Sequence, residues 1–222
     1  MAKLSSSQKE FLMEASRQYR KSVKGSPAEE YLASRGLLQY HKKYSLGYVA
    51  EPLEGHKKYR GMLAIPYIRK NPKGEVFVVT IRFRCIQDHD HKDKRICGQK
   101  YRSMPGDTPR LFNTVELTKD HDVIAITEGE MDAIVATECG IPTVSAQGVK
   151  SWKPHFSVPF QGYEKVLVLA DNDDSRGEGY EFGKMLAAEI PNVKIVEMLR
   201  GHDVNSLVHE YGPEKLHELV NQ

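Results

Sequence analysis

Acidic residues follow two short apolar runs in the C-terminal half of the chain. Glu128 comes directly after VIAIT, and Asp171 and Asp173 follow VLVLA. Runs of Val, Ile, Leu and Ala of this length are typical of strands that are buried on both faces of a parallel sheet. Open α/β sheets place ligands and chemistry at the carboxyl ends of such strands. We therefore expect these three carboxylates to converge at one edge of a sheet.

Three converging carboxylates would repel one another unless a cation neutralised them. Carboxylate oxygens suit the hard divalent ions Mg²⁺ and Mn²⁺, and such ions assist phosphate chemistry. The spacing therefore predicts an Mg²⁺ or Mn²⁺ site formed by Glu128, Asp171 and Asp173, which would also be the catalytic residues. A purely structural role for these acids, as helix caps, is the weaker alternative.

The elements that would position these acids alternate between strands and helices. After residue 122 the pattern predicts strands at VIAIT, IPTVSA, KVLVLA and VKIVEML, with helices between and after them. Such alternation indicates a mainly parallel sheet with flanking helices. The upstream half predicts two helices, near 7–21 and 27–36, and then a hairpin that turns at NPKG. We predict an α/β protein with an α+β subdomain at 1–117 and the parallel-sheet domain at 118–222.

Basic residues are concentrated upstream of the acids, although the formal net charge is only +2. Between residues 57 and 110 the chain carries KKYR, IRK, IRFR and QKYR. A basic surface beside an acidic metal site suits an enzyme that acts on nucleic acid. On the strand VFVVTIRFR, the two-residue period places Thr80, Arg82 and Arg84 on one face, where the guanidinium groups could hold phosphate. A solvated outer face is the alternative interpretation.

A hydrophilic segment after this strand contains Cys85, His89, His91 and Cys97. These residue types can bind zinc, but the spacing lacks the paired CxxC of well-formed structural zinc sites. A polar loop with incidental histidines is the more economical interpretation. We therefore predict no zinc.

The cysteine content and hydropathy indicate where the protein works. Its three cysteines have no disulfide-framework spacing, and no apolar run has the length of a signal peptide or a membrane span. We expect a protein of a reducing cytoplasm, with no membrane partner.

The acidic motifs resemble a known family when they are taken in order. EGEMDAI, DNDDSRG and GHDVN resemble the signatures of the Toprim domain. Upstream, AEEYLASRGL, SLGYV, YRGMLAIPYIRKNPKGEVFVVTIRFR and KYRSMPGDTPRLFN resemble the catalytic core of DnaG-type and phage primases. The resemblance extends from about residue 28 to the end. It implies that 118–222 is a Toprim domain.

The resemblance also implies roles for single residues. Glu128 would assist catalysis or bind metal, Asp171 and Asp173 would bind metal, and Asp203 would be the third acidic position. Where the family has a further acid, this chain has Asn205. Asp132 belongs to the first motif, with a structural role at the helix start as an equal alternative. Template and nucleotide would be bound by basic residues, namely Arg60, Arg82, Arg84, Lys100, Arg102 and Arg110.

The function implied by the resemblance is metal-dependent synthesis of short RNA primers from ribonucleoside triphosphates on single-stranded DNA, in phage replication. A Toprim nuclease and a non-catalytic single-stranded-DNA-binding accessory protein are the alternatives. No Cys/His cluster precedes the core and no GxxxxGK[ST] phosphate loop is present. A separate zinc-binding module and a separate helicase are therefore expected as partners.

Overall fold

The computed structural model describes residues 4–89, 91, 93, 99–172 and 177–222. These residues form two compact units, Met1–Asp107 and Thr108–Gln222. The sequence places the boundary later, after residue 117. The intervening segment packs with the second unit, because Leu111 lies in its core and Phe112 forms a β-bridge with Ser145.

The first unit contains helices and an antiparallel sheet. In chain order, its elements are α1 (Ser6–Lys21), α2 (Pro27–Ser34), β1 (Gly47–Tyr48), β2 (Leu63–Lys70), β3 (Val76–Arg84) and β4 (Tyr101–Arg102). The strands lie in the order β1-β2-β3-β4. Ser5 caps α1 in a capping box with Gln8, and Pro27 occupies the first turn of α2.

The predicted hairpin is formed by β2 and β3. Its turn is fixed by Asn71, whose Oδ1 accepts hydrogen bonds from the backbone N–H groups of Lys73 and Glu75, each at 2.9 Å. The register shifts between Tyr67 and Ile68, which is a bulge or irregularity of the ladder. This shift changes the alternation of side chains along β3, so a strict two-residue period does not describe the whole strand.

An aromatic cluster around His56 forms the centre of this unit. The ring of His56 makes edge contacts with Phe11, Tyr59 and Phe83, at centroid distances of 5.1, 5.8 and 5.2 Å. Tyr59 stacks on Phe83 at 3.8 Å. The hydroxyl of Tyr19 lies 2.8 Å from His56 Nδ1 and accepts a hydrogen bond from the backbone N–H of Leu53 at 3.1 Å. The hydroxyl proton can therefore be donated to Nδ1 of a neutral ring.

Acidification is expected to destabilise the first unit through His56. Burial lowers the pKa of this histidine below its usual value of about 6.5. As the pH falls, the unfolded chain therefore binds a proton on His56 at a higher pH than the folded chain does. The contribution of His56 to the unfolding free energy is complete above about pH 6.5, and it is lost as the pH drops towards the pKa of the folded state. The slope from this group is at most about 1.4 kcal/mol per pH unit.

Urea denaturation between pH 8 and pH 5 measures this dependence. The control is His56→Gln, which keeps an acceptor for Tyr19 but does not titrate. We expect a steeper loss of unfolding free energy in the wild type than in the variant. Parallel pH profiles for the two proteins would contradict the assignment.

The second unit is built on a parallel sheet, as the sequence predicts. Its elements are β5 (Val123–Thr127), α3 (Glu130–Glu138), β6 (Thr143–Ser145), β7 (Lys165–Ala170), α4 (Glu178–Glu189), β8 (Val193–Glu197), α5 (Val204–Tyr211) and α6 (Pro213–Asn221). The strand order is β6-β5-β7-β8, and all three neighbouring pairs are parallel.

The core of this unit places aromatic rings against one face of the sheet. Trp152 makes edge contacts with Phe156 and Phe182, at centroid distances of 5.7 and 6.0 Å. Phe182 belongs to α4, so this cluster fixes that helix next to β7 and β8. Among the residues that the structure describes, no helix is long and apolar enough to cross a bilayer.

Candidate active site

Glu128 and Asp171 lie at the carboxyl ends of adjacent parallel strands. β5 and β7 are paired with Ile126 opposite Val168, Glu128 follows the last residue of β5, and Asp171 follows the last residue of β7. Neighbouring strands are about 4.8 Å apart, so the two carboxylates share one edge of the sheet. Glu128 Oε1 and Asp171 Oδ1 are shielded from solvent. Asp173, predicted to act with them, lies outside the described residues.

Asn172 holds the segment after β8 against the end of β7. Its backbone N–H donates to the carbonyl of His202 at 2.9 Å, and its side-chain amide donates to the carbonyl of Met198 at 3.1 Å. The N–H of Gly201 donates to the carbonyl of Asn172 at 2.7 Å. These bonds bring the chain that leads to Asp203 to the edge of the sheet that carries Asp171. Asn172 was missed by sequence reasoning, although its place within Asp-x-Asp was a signal.

Asp203 has a structural role that does not depend on a metal. It is the N-cap of α5, and its Oδ1 accepts a hydrogen bond from the backbone N–H of Ser206 at 2.6 Å. Its predicted role as a metal ligand stays a prediction.

Asp132 also serves the start of α5. Its Oδ1 accepts a hydrogen bond from the backbone N–H of Asn205 at 3.0 Å, and its side chain is 6% exposed. Asp132 therefore connects α3 to the N-terminus of α5, which agrees with a structural role. Glu130, in the first turn of α3, is completely buried, and sequence reasoning did not single it out.

Gly179 allows the first turn of α4 to contact the backbone of Asp171. A Cβ at Gly179 would overlap the carbonyl oxygen of Asp171 and would lie 2.8 Å from its amide nitrogen. Real Cβ atoms do not approach backbone atoms so closely. A glycine is therefore required at this position for α4 to pack against the backbone of Asp171. Sequence reasoning missed this contact as well.

In the first unit, Arg82 and Arg84 contact the same aromatic ring. Their guanidinium carbons lie 4.3 and 4.9 Å from the centroid of Tyr101, and Arg84 lies 5.6 Å from that of Tyr31. Arg84 also donates a hydrogen bond to the Tyr101 hydroxyl. Arg84 is only 6% exposed, whereas Arg82 is partly exposed. Sequence reasoning missed both tyrosines, which hold the arginines by cation–π contact.

Arg60 is bound to its own unit. Its Nη1 donates to the carbonyl of Ala50 at 2.6 Å and lies 3.3 Å from the carboxylate of Glu51. Both charged side chains are exposed, so this ion pair is weak.

The remaining predicted basic residues differ in exposure. Lys100 is exposed, and Arg102 is partly exposed with its Nη1 3.5 Å from the carbonyl of Lys58. Arg110 is partly exposed and belongs to the second unit. The assignment of all six basic residues to nucleic acid or nucleotide stays a prediction.

The chain is similar in sequence to a phage protein and to a bacterial primase. It is 48% identical over 162 residues to the Gene 57 protein of Mycobacterium phage D29, which covers 73% of this chain and 99% of the phage protein. It is 25% identical over 249 residues to a DNA primase of Legionella pneumophila, which covers 95% of this chain and 42% of the primase. The chain thus spans less than half of that primase. No protein-family model matches the chain.

Solved structures of DnaG primases have the same fold. The structure of the Aquifex aeolicus primase with its zinc-binding and RNA polymerase domains matches with a TM-score of 0.74 at 23% identity, over 99% of this chain and 62% of that one. A DnaG primase catalytic domain bound to single-stranded DNA matches with a TM-score of 0.72 at 16% identity, over 96% and 80%. The chain therefore belongs to the family of the phage D29 Gene 57 protein and has the fold of the DnaG primase catalytic core.

Proposed function

We propose that this protein synthesises short RNA primers on single-stranded DNA, in a reaction that depends on Mg²⁺ or Mn²⁺. The observation that carries the proposal is the placement of Glu128 and Asp171 at the ends of adjacent parallel strands, in a chain with the DnaG catalytic-core fold. The sequence similarity to a DNA primase supports it. The similarity to a phage protein supports a role in phage replication.

The acidic residues fit a divalent ion by the chemistry of their donors. Oxygen donors from Glu128 and Asp171, with Asp173 as a further predicted ligand, match the preference of Mg²⁺ and Mn²⁺. The bound ion would neutralise triphosphate charge and favour ionisation of the attacking 3′-hydroxyl. Two neighbours would fix the position of Asp171. Asn172, the next residue in the chain, is held by its own hydrogen bonds, and Gly179 lets α4 pack against the Asp171 backbone. Asp203, if it binds metal, would do so from the N-cap of α5.

The predicted basic residues would hold the template backbone and the incoming triphosphate. Arg82, Lys100 and Arg102 have exposed or partly exposed side chains and could contact phosphate directly. The buried guanidinium of Arg84 would instead hold the Tyr101 ring and thereby orient Arg82. Because such contacts are ionic, binding to single strands is expected to weaken steeply with salt.

A primer-synthesis assay tests the proposal. The purified chain is incubated with the four ribonucleoside triphosphates, one labelled, with Mg²⁺ or Mn²⁺ and single-stranded templates of different sequence. We expect short RNA products that require both template and divalent ion and that disappear with a chelator. Templates of many sequences are needed, because a separate zinc-binding module is the expected means of choosing the start site.

Two other outcomes would contradict primer synthesis. Metal-dependent degradation of the template, without RNA products, would identify a Toprim nuclease. Salt-sensitive strand binding with neither synthesis nor degradation on any template would identify an accessory protein. A separate helicase stays a predicted partner.

A further inference from the structure

We propose that Cys85, His89 and His91 form a second metal site, for a zinc-class ion such as Zn²⁺ or Co²⁺. Their candidate ligand atoms, one sulfur and two imidazole nitrogens, all lie within 4.8 Å of one another. The spacing in sequence favoured a polar loop with incidental histidines, because it lacks paired CxxC. In the folded chain the three side chains nevertheless lie close together, and this proximity does not depend on the proposed primase activity.

The distances are close to those of a tetrahedral site. Cys85 Sγ lies 3.8 Å from His89 Nε2. Zn–S bonds of about 2.3 Å and Zn–N bonds of about 2.0 Å at a tetrahedral angle place sulfur and nitrogen about 3.6 Å apart. The rings of His89 and His91 meet edge to face with centroids 4.6 Å apart, so both nitrogens need only small side-chain rotations to reach one ion.

The thiol is held by a rigid part of the fold. Cys85 directly follows β3, and its backbone N–H donates to the carbonyl of Lys100 at 2.8 Å. Its side chain is 8% exposed and packs in the core of the first unit with Phe83 and Ile81. His89 and His91 are partly exposed, so an ion can enter from their side and bind a sulfur already in place.

The donor set selects the metal. A thiolate with two neutral imidazoles prefers borderline-soft ions and does not suit Mg²⁺ or Ca²⁺. Three protein ligands leave a fourth position for water or another donor. The bound ion would tie His89 and His91 to the end of β3, beside Arg84 and opposite Lys100. Its expected role is therefore to stabilise the first unit. The competing interpretation is a plain Sγ–H···N hydrogen bond between Cys85 and His89.

Metal analysis of the untagged full chain tests the site. We expect about one zinc ion per chain after purification without chelator, and a Co²⁺-exchanged protein with thiolate-to-cobalt charge-transfer absorption. Adding Zn²⁺ to chelator-treated protein is expected to raise the melting temperature of the first unit by about 5 °C or more. Cys85→Ser and His91→Gln should each lose the zinc and the temperature rise, and Cys85→Ser should also lose the charge-transfer band.

Matched controls separate this site from other metal-binding groups. Cys139→Ser and His155→Gln change the same residue types in the second unit and should keep the zinc. Asp171→Asn should also keep it, because the acidic site takes a different class of ion. His91→Gln keeps the test valid if Cys85→Ser fails to fold.

The proposal is overturned if the wild type binds no zinc and shows no charge-transfer band with Co²⁺. It is also overturned if both ligand variants retain zinc, or if zinc is lost in Asp171→Asn and kept in Cys85→Ser.

Discussion

Replacing Asp171 with asparagine is expected to lower the rate of primer synthesis by about 100-fold or more, which corresponds to about 2.7 kcal/mol of lost transition-state stabilisation. The side chain keeps its size, so the contact between α4 and the Asp171 backbone is preserved. What is lost is the negative charge that we propose binds the divalent ion. We therefore expect the loss in the rate of synthesis, together with a higher Mg²⁺ concentration for half-maximal activity.

Single-stranded DNA binding is the accompanying measurement. We propose that it depends on the predicted basic residues, of which Arg110 lies in the second unit and the others in the first, so Asp171→Asn should bind template as tightly as the wild type at each salt concentration. A matched control is Glu164→Gln, because Glu164 is exposed and precedes the opposite end of the same strand, β7. Glu164→Gln should leave both synthesis and stability unchanged.

Glu128→Gln provides an independent check of the shared site. If Glu128 and Asp171 bind the same ion, either variant removes most of the activity, and the double variant is little worse than the single ones. Additive losses would indicate that the two carboxylates act separately. Unchanged synthesis in Asp171→Asn would remove this residue from the proposed mechanism.

Much of the second unit could be predicted because its strands are defined by short runs of neighbouring residues. The apolar runs before Glu128 and Asp171 are buried strands, and parallel strands must end at a common edge. The positions of these two carboxylates followed directly. The bonds of Asn172 could not be predicted, because its partners His202 and Met198 are far along the chain and are main-chain carbonyls.

In the first unit, the sequence did not predict how deeply individual side chains are buried. The alternation of side chains along β3 predicted that Arg82 and Arg84 share one face, and both arginines contact the Tyr101 ring. Alternation cannot say how deeply each arginine lies, which depends on the aromatic side chains of Tyr31 and Tyr101 that cover Arg84. Cys85, His89 and His91 were considered as zinc ligands from the sequence, but their spacing could not predict that they lie close together. Zinc spacing rules describe paired CxxC knuckles, whereas in the proposed site the sulfur would come from the residue that follows a strand.

Gly179→Ala is expected to destabilise the second unit and to reduce primer synthesis. Helix propensity alone predicts the opposite, because alanine is favoured over glycine by up to about 1 kcal/mol in a helix interior and by less in the first turn, where Gly179 lies. At this position the new methyl group overlaps the carbonyl of Asp171, so α4 or the end of β7 must move. Overpacking of this kind costs about 1–3 kcal/mol, and the site moves with the displaced backbone.

The fluorescence of Trp152, the single tryptophan of the chain, can follow this change because its ring contacts Phe182 of α4. In urea denaturation we expect a lower unfolding free energy for Gly179→Ala. We also expect a loss of primer synthesis under conditions in which the variant is fully folded. Gly162→Ala is the matched control, because a Cβ there meets nothing within 4 Å. Equal or greater stability with full activity in Gly179→Ala would show that α4 does not fix Asp171. In that case, the position of this carboxylate would have to depend on Asn172 and the segment that it binds.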